Sequence, residues 1–82
     1  MKKIKIGRIS KGLIQADLAR LVGVTPTYIS KYETGQMLPK VDTLYKISRV
    51  IGYSMEELME EYHDPEFERK LREFREKETR VQ

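Results

Sequence analysis

The sequence predicts an all-α domain of short helices joined by tight turns. Three observations lead to this fold class. The chain has 82 residues, enough for one domain, and 39% of them are hydrophobic, enough for one core. No stretch alternates apolar and polar residues for long enough to indicate a sheet.

Composition excludes several kinds of site. There is no cysteine, so disulfides and thiolate zinc sites are excluded and a reducing compartment is expected. A lone His63 cannot form a histidine metal cluster. No apolar stretch is long enough to cross a membrane.

Charge is distributed unevenly along the chain. Residues 1–53 carry ten Lys/Arg and three Asp/Glu, a net charge of +7, whereas residues 54–82 carry six and ten, a net charge of −4. A basic body with an acidic tail indicates that the body meets a polyanion and the tail does not. An ordinary solvated surface is an equally good explanation of the charge alone.

The first element, about residues 2–11, is ambiguous. Its alternation over Ile4, Lys5 and Ile6 fits a short strand, and Gly7 weakens a helix by about 1 kcal/mol relative to alanine. The second element is a helix over residues 15–22, stopped by Gly23. Its inward side is predicted to hold Ala16, Leu18, Ala19 and Val22.

The third helix begins at Thr25 and Pro26. Threonine is a good N-cap. Proline suits the first helical position because the N–H group that it lacks would have no partner within the helix there. Ile29 and Tyr32 are predicted to face inward, and Gly35 is predicted to be a left-handed C-cap.

Two more helices follow a short loop. The fourth covers about residues 41–51, with apolar residues at helical spacing, and Gly52 ends it. Ser54 and Glu57 form a capping box that opens the fifth helix. The apolar stripe of this fifth helix consists of Met55, Leu58, Met59 and Tyr62.

The last helix begins after Asp64 and Pro65 and runs from about residue 66 to the late seventies. Phe67, Leu71 and Phe74 lie within an arc of about 60°, so they form one narrow apolar stripe. A lone helix with such a stripe is marginal in water, so the stripe must be covered. The fourth and fifth helices of the same protomer could cover it, or a partner protomer could, alone or with Tyr62. We favour the partner protomer.

The most informative stretch is residues 15–35. Two short helices are separated by a tight turn, and the second has small and polar residues on its outer side. A short polar-faced helix supported from below by another helix fits the major groove of DNA.

This stretch and its flanks resemble the Cro and phage-repressor type helix-turn-helix proteins, also called the xenobiotic-response-element family. The resemblance covers about residues 3–60 and is carried by residues 11–13, 15–19, 23–25, 29–35, Pro39, 43–44 and 52–58. It implies a five-helix repressor-like bundle over residues 3–60, with the helix-turn-helix at about 15–34. Residues 61–82 are then a C-terminal helical extension, which we predict to be a dimerisation element.

The resemblance also implies roles for individual residues. The helix over residues 26–34 would enter the major groove, and Arg8 and Glu33 would form a structural ion pair between the first and third helices. Base edges would be read by Thr27, Tyr28 and Lys31. Phosphates would be bound by Gln15, Thr25, Thr34, Gln36 and Lys40.

The sequence departs from the family pattern at four positions. Ile14 and Lys40 stand where a capping Ser or Thr is common, and Asp17 is a substitute cap for the first of these helices. Pro26 replaces a residue that often reads bases through an amide, so only apolar contact is available there. Gly7 is unusual in the first helix.

These observations predict a sequence-specific double-stranded DNA-binding protein, a homodimer on a palindromic operator, acting as a transcriptional regulator and most simply a repressor. A cytoplasmic location is expected, with no cofactor, metal, membrane or small-molecule partner. An enzyme is disfavoured because no nucleophile–base–orienter set is present. The alternative is an antitoxin, a restriction-system controller or a coactivator-like module that acts mainly through protein–protein contacts.

Overall fold

The computed structural model describes residues 1–62 and 64–81, with side chains as far as Lys77. His63, considered above as a metal ligand, lies outside the described residues. The described residues form six α-helices and no strand, which confirms the all-α prediction. The helices are α1 Lys2–Ser10, α2 Gln15–Val22, α3 Pro26–Thr34, α4 Val41–Ile51, α5 Met55–Met59 and α6 Pro65–Val81.

Helix α4 lies at the centre of the bundle. It packs against α1, α2, α5 and α6, and it buries Leu44, Ile47 and Ile51. Together with Ile4, Leu18, Ile29, Met55 and Leu58, these side chains form one continuous hydrophobic core. Burial of a large aliphatic side chain stabilises a fold by about 1.5–3 kcal/mol, so this core is the main source of stability.

The ambiguous first element is a helix. Its inward face holds Ile4, Gly7 and Arg8, whereas Ile6 and Ile9 remain more than half exposed. Gly7 lies against α4 so closely that a Cβ atom there would come within 2.9 Å of the Ile51 Cβ atom. The glycine that weakens the helix locally is therefore what lets α1 and α4 approach each other.

Helix α2 has the predicted bounds, but one residue faces the wrong way. Ala16 was expected on the inward side and is exposed. At about 100° per residue, Ala16 is turned far from the direction shared by Leu18 and Val22. Asp17 supplies only the reciprocal half of a capping box, because its carboxylate accepts the backbone N–H of the N-cap residue Ile14 at 3.1 Å.

The predicted caps of α5 and α6 are confirmed. The Ser54 hydroxyl accepts the N–H of Glu57 at 3.0 Å, and the Glu57 carboxylate accepts the N–H of Ser54 at 3.2 Å. Asp64 accepts the N–H of Glu66 at 3.1 Å at the start of α6. These contacts satisfy helix-terminal N–H groups that have no partner within the helix.

The apolar stripe of α6 packs on α4 of the same chain. Phe67 is 8% exposed, and the Phe74 ring lies 5.2 Å from the Tyr45 ring, centroid to centroid. Arg75, beside Leu71 on α6, donates to the two oxygens of the Glu56 carboxylate of α5 at 2.6 and 2.8 Å. Phe67 is therefore covered by helices of its own protomer, the first of the two alternatives above, and a dimer contact through the rest of the stripe stays a prediction. Leu71 and Phe74 remain half-buried.

No helix among the described residues is long and apolar enough to span a membrane.

Candidate nucleic-acid interface

The turn between α2 and α3 depends on a left-handed residue. Gly23 ends α2 with φ 79°, and its N–H donates to the Ala19 carbonyl at 2.9 Å. The next N–H, of Val24, donates to the same carbonyl at 3.0 Å. Residues with a Cβ atom rarely adopt this backbone conformation, so glycine fixes the angle at which α3 leaves α2.

Helix α3 separates its side chains into two sets. Ile29, Tyr32 and Glu33 are buried against the bundle. Thr27 and Tyr28 are exposed and Lys31 is half-buried, so all three predicted base-reading residues lie away from the core. A helix with this division presents a polar face to any partner that approaches it.

The Tyr28 ring is supported from beneath. It is 43% exposed and stacks on the buried Tyr32 ring, with centroids 6.3 Å apart and planes 26° apart. Burial raises the pKa of the Tyr32 phenol, and the neighbouring Tyr28 and Asp42 raise it further. Tyr32 therefore stays neutral beneath the outward face, and Tyr28 is held by a rigid neighbour.

Arg8 of α1 and Glu33 of α3 are in direct contact. The Arg8 Nε and Nη2 groups donate to the two Glu33 carboxylate oxygens at 2.6 and 3.2 Å. Arg8 Nη1 also donates to the Leu13 carbonyl at 2.8 Å. The two side chains are only 10% and 3% exposed, so this bidentate pair is a buried clamp between α1 and α3.

Gln15 completes the clamp. Its amide Nε2 donates to Glu33 Oε1 at 3.1 Å, so α2 also holds the carboxylate. Gln15 lies at the first position of α2, where unpaired backbone N–H groups favour an anion. One side chain thus lies both beside a potential phosphate site and against the brace of α3.

The other predicted phosphate ligands differ in whether their side chains are already engaged in hydrogen bonds within the protein. The Thr25 hydroxyl makes no cap hydrogen bond, although Thr25 is the N-cap of α3. The Thr34 hydroxyl already donates to the Ser30 carbonyl at 3.1 Å, so its proton is engaged within the helix. Gln36 and Lys40 are exposed on the loop that joins α3 to α4.

The loop after α3 lies beside α6. An open groove of about 580 Å³ separates them, with Leu38 and Lys40 on one side and Phe67 and Lys70 on the other. The C-terminal helix is therefore a neighbour of the predicted phosphate-binding loop rather than a remote appendage.

One set of contacts at the end of α3 has no sequence signal. The amino group of Met1 donates to the carbonyl oxygens of Tyr32 and Glu33 at 3.0 and 3.4 Å, and to the Tyr62 hydroxyl at 3.1 Å. Burial lowers the pKa of this amino group. Tyr62, a predicted dimer contact, thus directs its hydroxyl into its own protomer.

No group of three or more acidic or histidine side chains within the described ranges is placed to hold a metal ion. What the arrangement offers instead is a short polar helix, clamped to two others, with cations and hydroxyl groups around it.

Residues 4–58 match the model of the helix-turn-helix family. Human endothelial differentiation-related factor 1 is 44% identical over 54 residues, which cover 66% of this chain and 36% of that protein. Multiprotein-bridging factor 1 of Eremothecium gossypii is 37% identical over 54 residues, with the same two shares. The SPbeta prophage-derived uncharacterized HTH-type transcriptional regulator YonR of Bacillus subtilis is 36% identical over 62 residues, 76% of this chain and 57% of that protein.

The chain thus spans about a third of the length of the two factors and just over half of the Bacillus regulator. No solved structure gives a significant match.

Proposed function

This chain belongs to the helix-turn-helix family, and from that premise we propose that it binds double-stranded DNA sequence-specifically as a homodimer and represses transcription. Helix α3 enters the major groove, and two protomers read the two halves of a palindromic operator in the cytoplasm. The resemblance to a prophage regulator over 62 residues supports a regulatory role.

The observation that carries this proposal is the clamped position of α3. Arg8 and Gln15 hold Glu33 from two other helices, at 2.6–3.2 Å, while Thr27 and Lys31 lie on the side away from the core. Base readout requires a helix whose orientation is fixed before binding, because a misplaced donor loses its partner on the base edge. A clamp of this kind supplies that fixed orientation.

Within this proposal, one set of side chains contacts base edges and a second set contacts phosphates. Thr27, Tyr28 and Lys31 contact base edges, which specify the sequence. Phosphates are contacted by Gln15, Thr25, Thr34, Gln36 and Lys40, and these contacts position the protein without reading sequence. Thr34 can take part only if its hydroxyl leaves the Ser30 carbonyl.

The charge distribution supports binding to a polyanion. All of these residues lie in the part of the chain whose net charge is +7. Neutralising phosphates with lysine and arginine releases counterions, so affinity should fall steeply with salt.

A dimer is proposed because one short recognition helix reads too few base pairs for a specific site. Leu71 and Phe74 of α6 are half-buried in the single protomer, so they retain apolar surface that a second copy could cover. We propose α6 as the dimer contact, with Leu71 at its centre.

The test is selection of bound duplexes from a random library, followed by gel shifts at two salt concentrations. A palindromic consensus bound by two protomers, with affinity that falls as salt rises, is expected. Lys31→Ala should relax the preference for that consensus, whereas Gln15→Ala should weaken consensus and random duplex alike. Absence of any binding at low salt would exclude the proposal.

A second candidate function is supported by the names of two relatives. A bridging factor and a differentiation-related factor each match this chain over 54 residues, which favours a module that binds a protein partner. An antitoxin or a restriction-system controller belongs to this class as well. No retained duplex in the selection, with a folded protein, would favour this alternative.

A further inference from the structure

The outward face of α3 carries few kinds of side chain that can contact a base. At about 100° per residue, Thr27 and Lys31 point most directly away from the buried Ile29, Tyr32 and Glu33. Tyr28 lies on one flank, and Ser30 lies on the other. Residues 26–34 contain no asparagine, glutamine or arginine.

This inventory limits which bases α3 can recognise. Adenine is read by an amide that bonds its N6 and N7 together, and the helix has no amide. Gln15, the nearest amide on α2, already donates to Glu33 at 3.1 Å. The hydroxyl groups of α3 can bond to several bases, whereas two groups each prefer one: a threonine methyl group contacts the thymine C5-methyl, and a lysine ammonium donates to guanine O6 and N7.

We propose that α3 reads its half-site through one thymine methyl group, contacted by Thr27, and one nearby guanine, contacted by Lys31. The inference rests on the proposed DNA-binding function and adds the identity of the bases. Side chains four residues apart on a helix are about 5–6 Å apart, and base pairs rise about 3.4 Å. The guanine therefore lies one to two base pairs from the thymine.

The surroundings of Thr27 and Lys31 favour this assignment. Lys31 is half-buried, so its stem is packed and its ammonium group has a restricted reach. Tyr28 is held against Tyr32 on one flank. Pro26 has no N–H to donate, so it does not add a hydrogen bond to a base.

Modified bases test the proposal on the duplex that the selection yields. Each thymine is replaced in turn by uracil, which removes only the C5-methyl group, and each guanine by 7-deazaguanine, which removes the N7 acceptor. A single uracil at the contacted position, in either half-site, should weaken binding about fourfold, the value of one buried methyl-sized group. 7-Deazaguanine at the neighbouring guanine should weaken binding about fivefold.

Two variants assign each loss to its side chain. Thr27→Ser removes the methyl group but keeps the hydroxyl, and it should abolish the uracil penalty. Thr43→Ser is the matched control, the same change on α4 at a residue with no proposed DNA contact, and it should leave the penalty intact. Lys31→Ala should abolish the 7-deazaguanine penalty, as a double-mutant cycle requires.

The outcomes are distinguishable from failure of the proposed function. If no duplex is selected, both proposals fail. If a consensus is selected but every uracil is tolerated, or Thr27→Ser retains the uracil penalty, DNA binding stands and the base assignment is wrong.

Discussion

The guanidinium of Arg8 and the carboxylate of Glu33 meet through two hydrogen bonds, 2.6 and 3.2 Å long, across 25 positions of the sequence. Both side chains are almost completely buried. A buried ion pair contributes little net stability, but removal of one partner leaves an unpaired buried charge.

Single and double replacement of this pair should therefore give opposite results. Glu33→Leu or Arg8→Met alone should lower the free energy of unfolding by about 3–5 kcal/mol. The double variant should recover much of that loss, because both charges are gone. Urea denaturation of the four proteins measures the coupling, and additive losses would contradict a direct interaction.

Replacement of Gly7 by alanine should destabilise the protein, although alanine favours helix by about 1 kcal/mol. The added Cβ atom would lie 2.9 Å from the Ile51 Cβ atom, so α1 or α4 must shift. Overpacking of this kind costs about 1–3 kcal/mol.

Thermal denaturation of Gly7→Ala and of Gly7→Ala with Ile51→Ala separates the two contributions. The second substitution removes the γ and δ carbons that crowd Gly7 but leaves the Cβ atom. Gly7→Ala should therefore cost less in the Ile51→Ala background than alone. An increase in stability from Gly7→Ala alone would show that the two helices can separate freely.

Acid should weaken the start of α5. Hydrogen bonds from the Ser54 backbone and from its side chain hold the pKa of Glu57 below its usual 4.5. The folded protein thus binds the Glu57 proton less readily than the unfolded chain does. The contribution is fully present above pH 4.5 and is lost as pH falls through the lower pKa of the folded state.

The melting midpoint of Glu57→Gln should accordingly fall less between about pH 6 and pH 3 than that of the unmodified protein. Glutamine still accepts a hydrogen bond from Ser54 but does not titrate. Glu76→Gln, at an exposed position of α6, is the matched control and should keep the original acid response. Equal responses of the two variants would exclude Glu57 as a source of acid sensitivity.

Two positions of the α6 stripe should behave differently. Phe67→Ala should lower the free energy of unfolding by about 3 kcal/mol, because this ring is buried within the protomer. Leu71→Asp should leave the protomer folded and convert the proposed dimer to a monomer, because Leu71 is half-exposed.

Sedimentation velocity with circular dichroism checks both expectations. Arg72→Asp, on the neighbouring exposed position, is the control for the introduced charge. A Leu71→Asp protein that remains dimeric would place the interface elsewhere, and a monomeric unmodified protein would remove the homodimer from the proposal.

Local chemistry accounts for what could be predicted from the sequence. The capping box of Ser54 and Glu57 and the left-handed Gly35 involve residues a few positions apart, so their patterns are visible in the chain. The error at Ala16 has a local cause as well. At about 100° per residue Ala16 points away from Leu18, Ala19 and Val22, so helical periodicity alone places it on the other side of α2.

Longer-range features could not be predicted in this way. Nothing in the sequence around Gly7 indicates that Ile51 lies against it, and nothing indicates that the Met1 amino group reaches the end of α3. The pairing of Arg8 with Glu33 came from family resemblance, since a charged pair 25 residues apart has no periodic signature. The packing of α6 on α4 brings Phe74 against Tyr45, 29 positions earlier, and no pattern within α6 specifies that contact.

The separation of α3 into a clamped side and an outward side determines which of its residues can be exchanged, in evolution or by protein design. Glu33, Ile29 and Tyr32 hold the helix, whereas Thr27 and Lys31 touch none of the clamp. Exchanging the outward pair for other side chains leaves the hydrogen bonds of Glu33 to Arg8 and Gln15 in place, together with the buried Ile29 and Tyr32. Under the proposed function, target preference and stability therefore depend on different residues of the same nine-residue helix. A library randomised at Thr27 and Lys31 would sample new base preferences while it retains the clamp and the buried residues of α3.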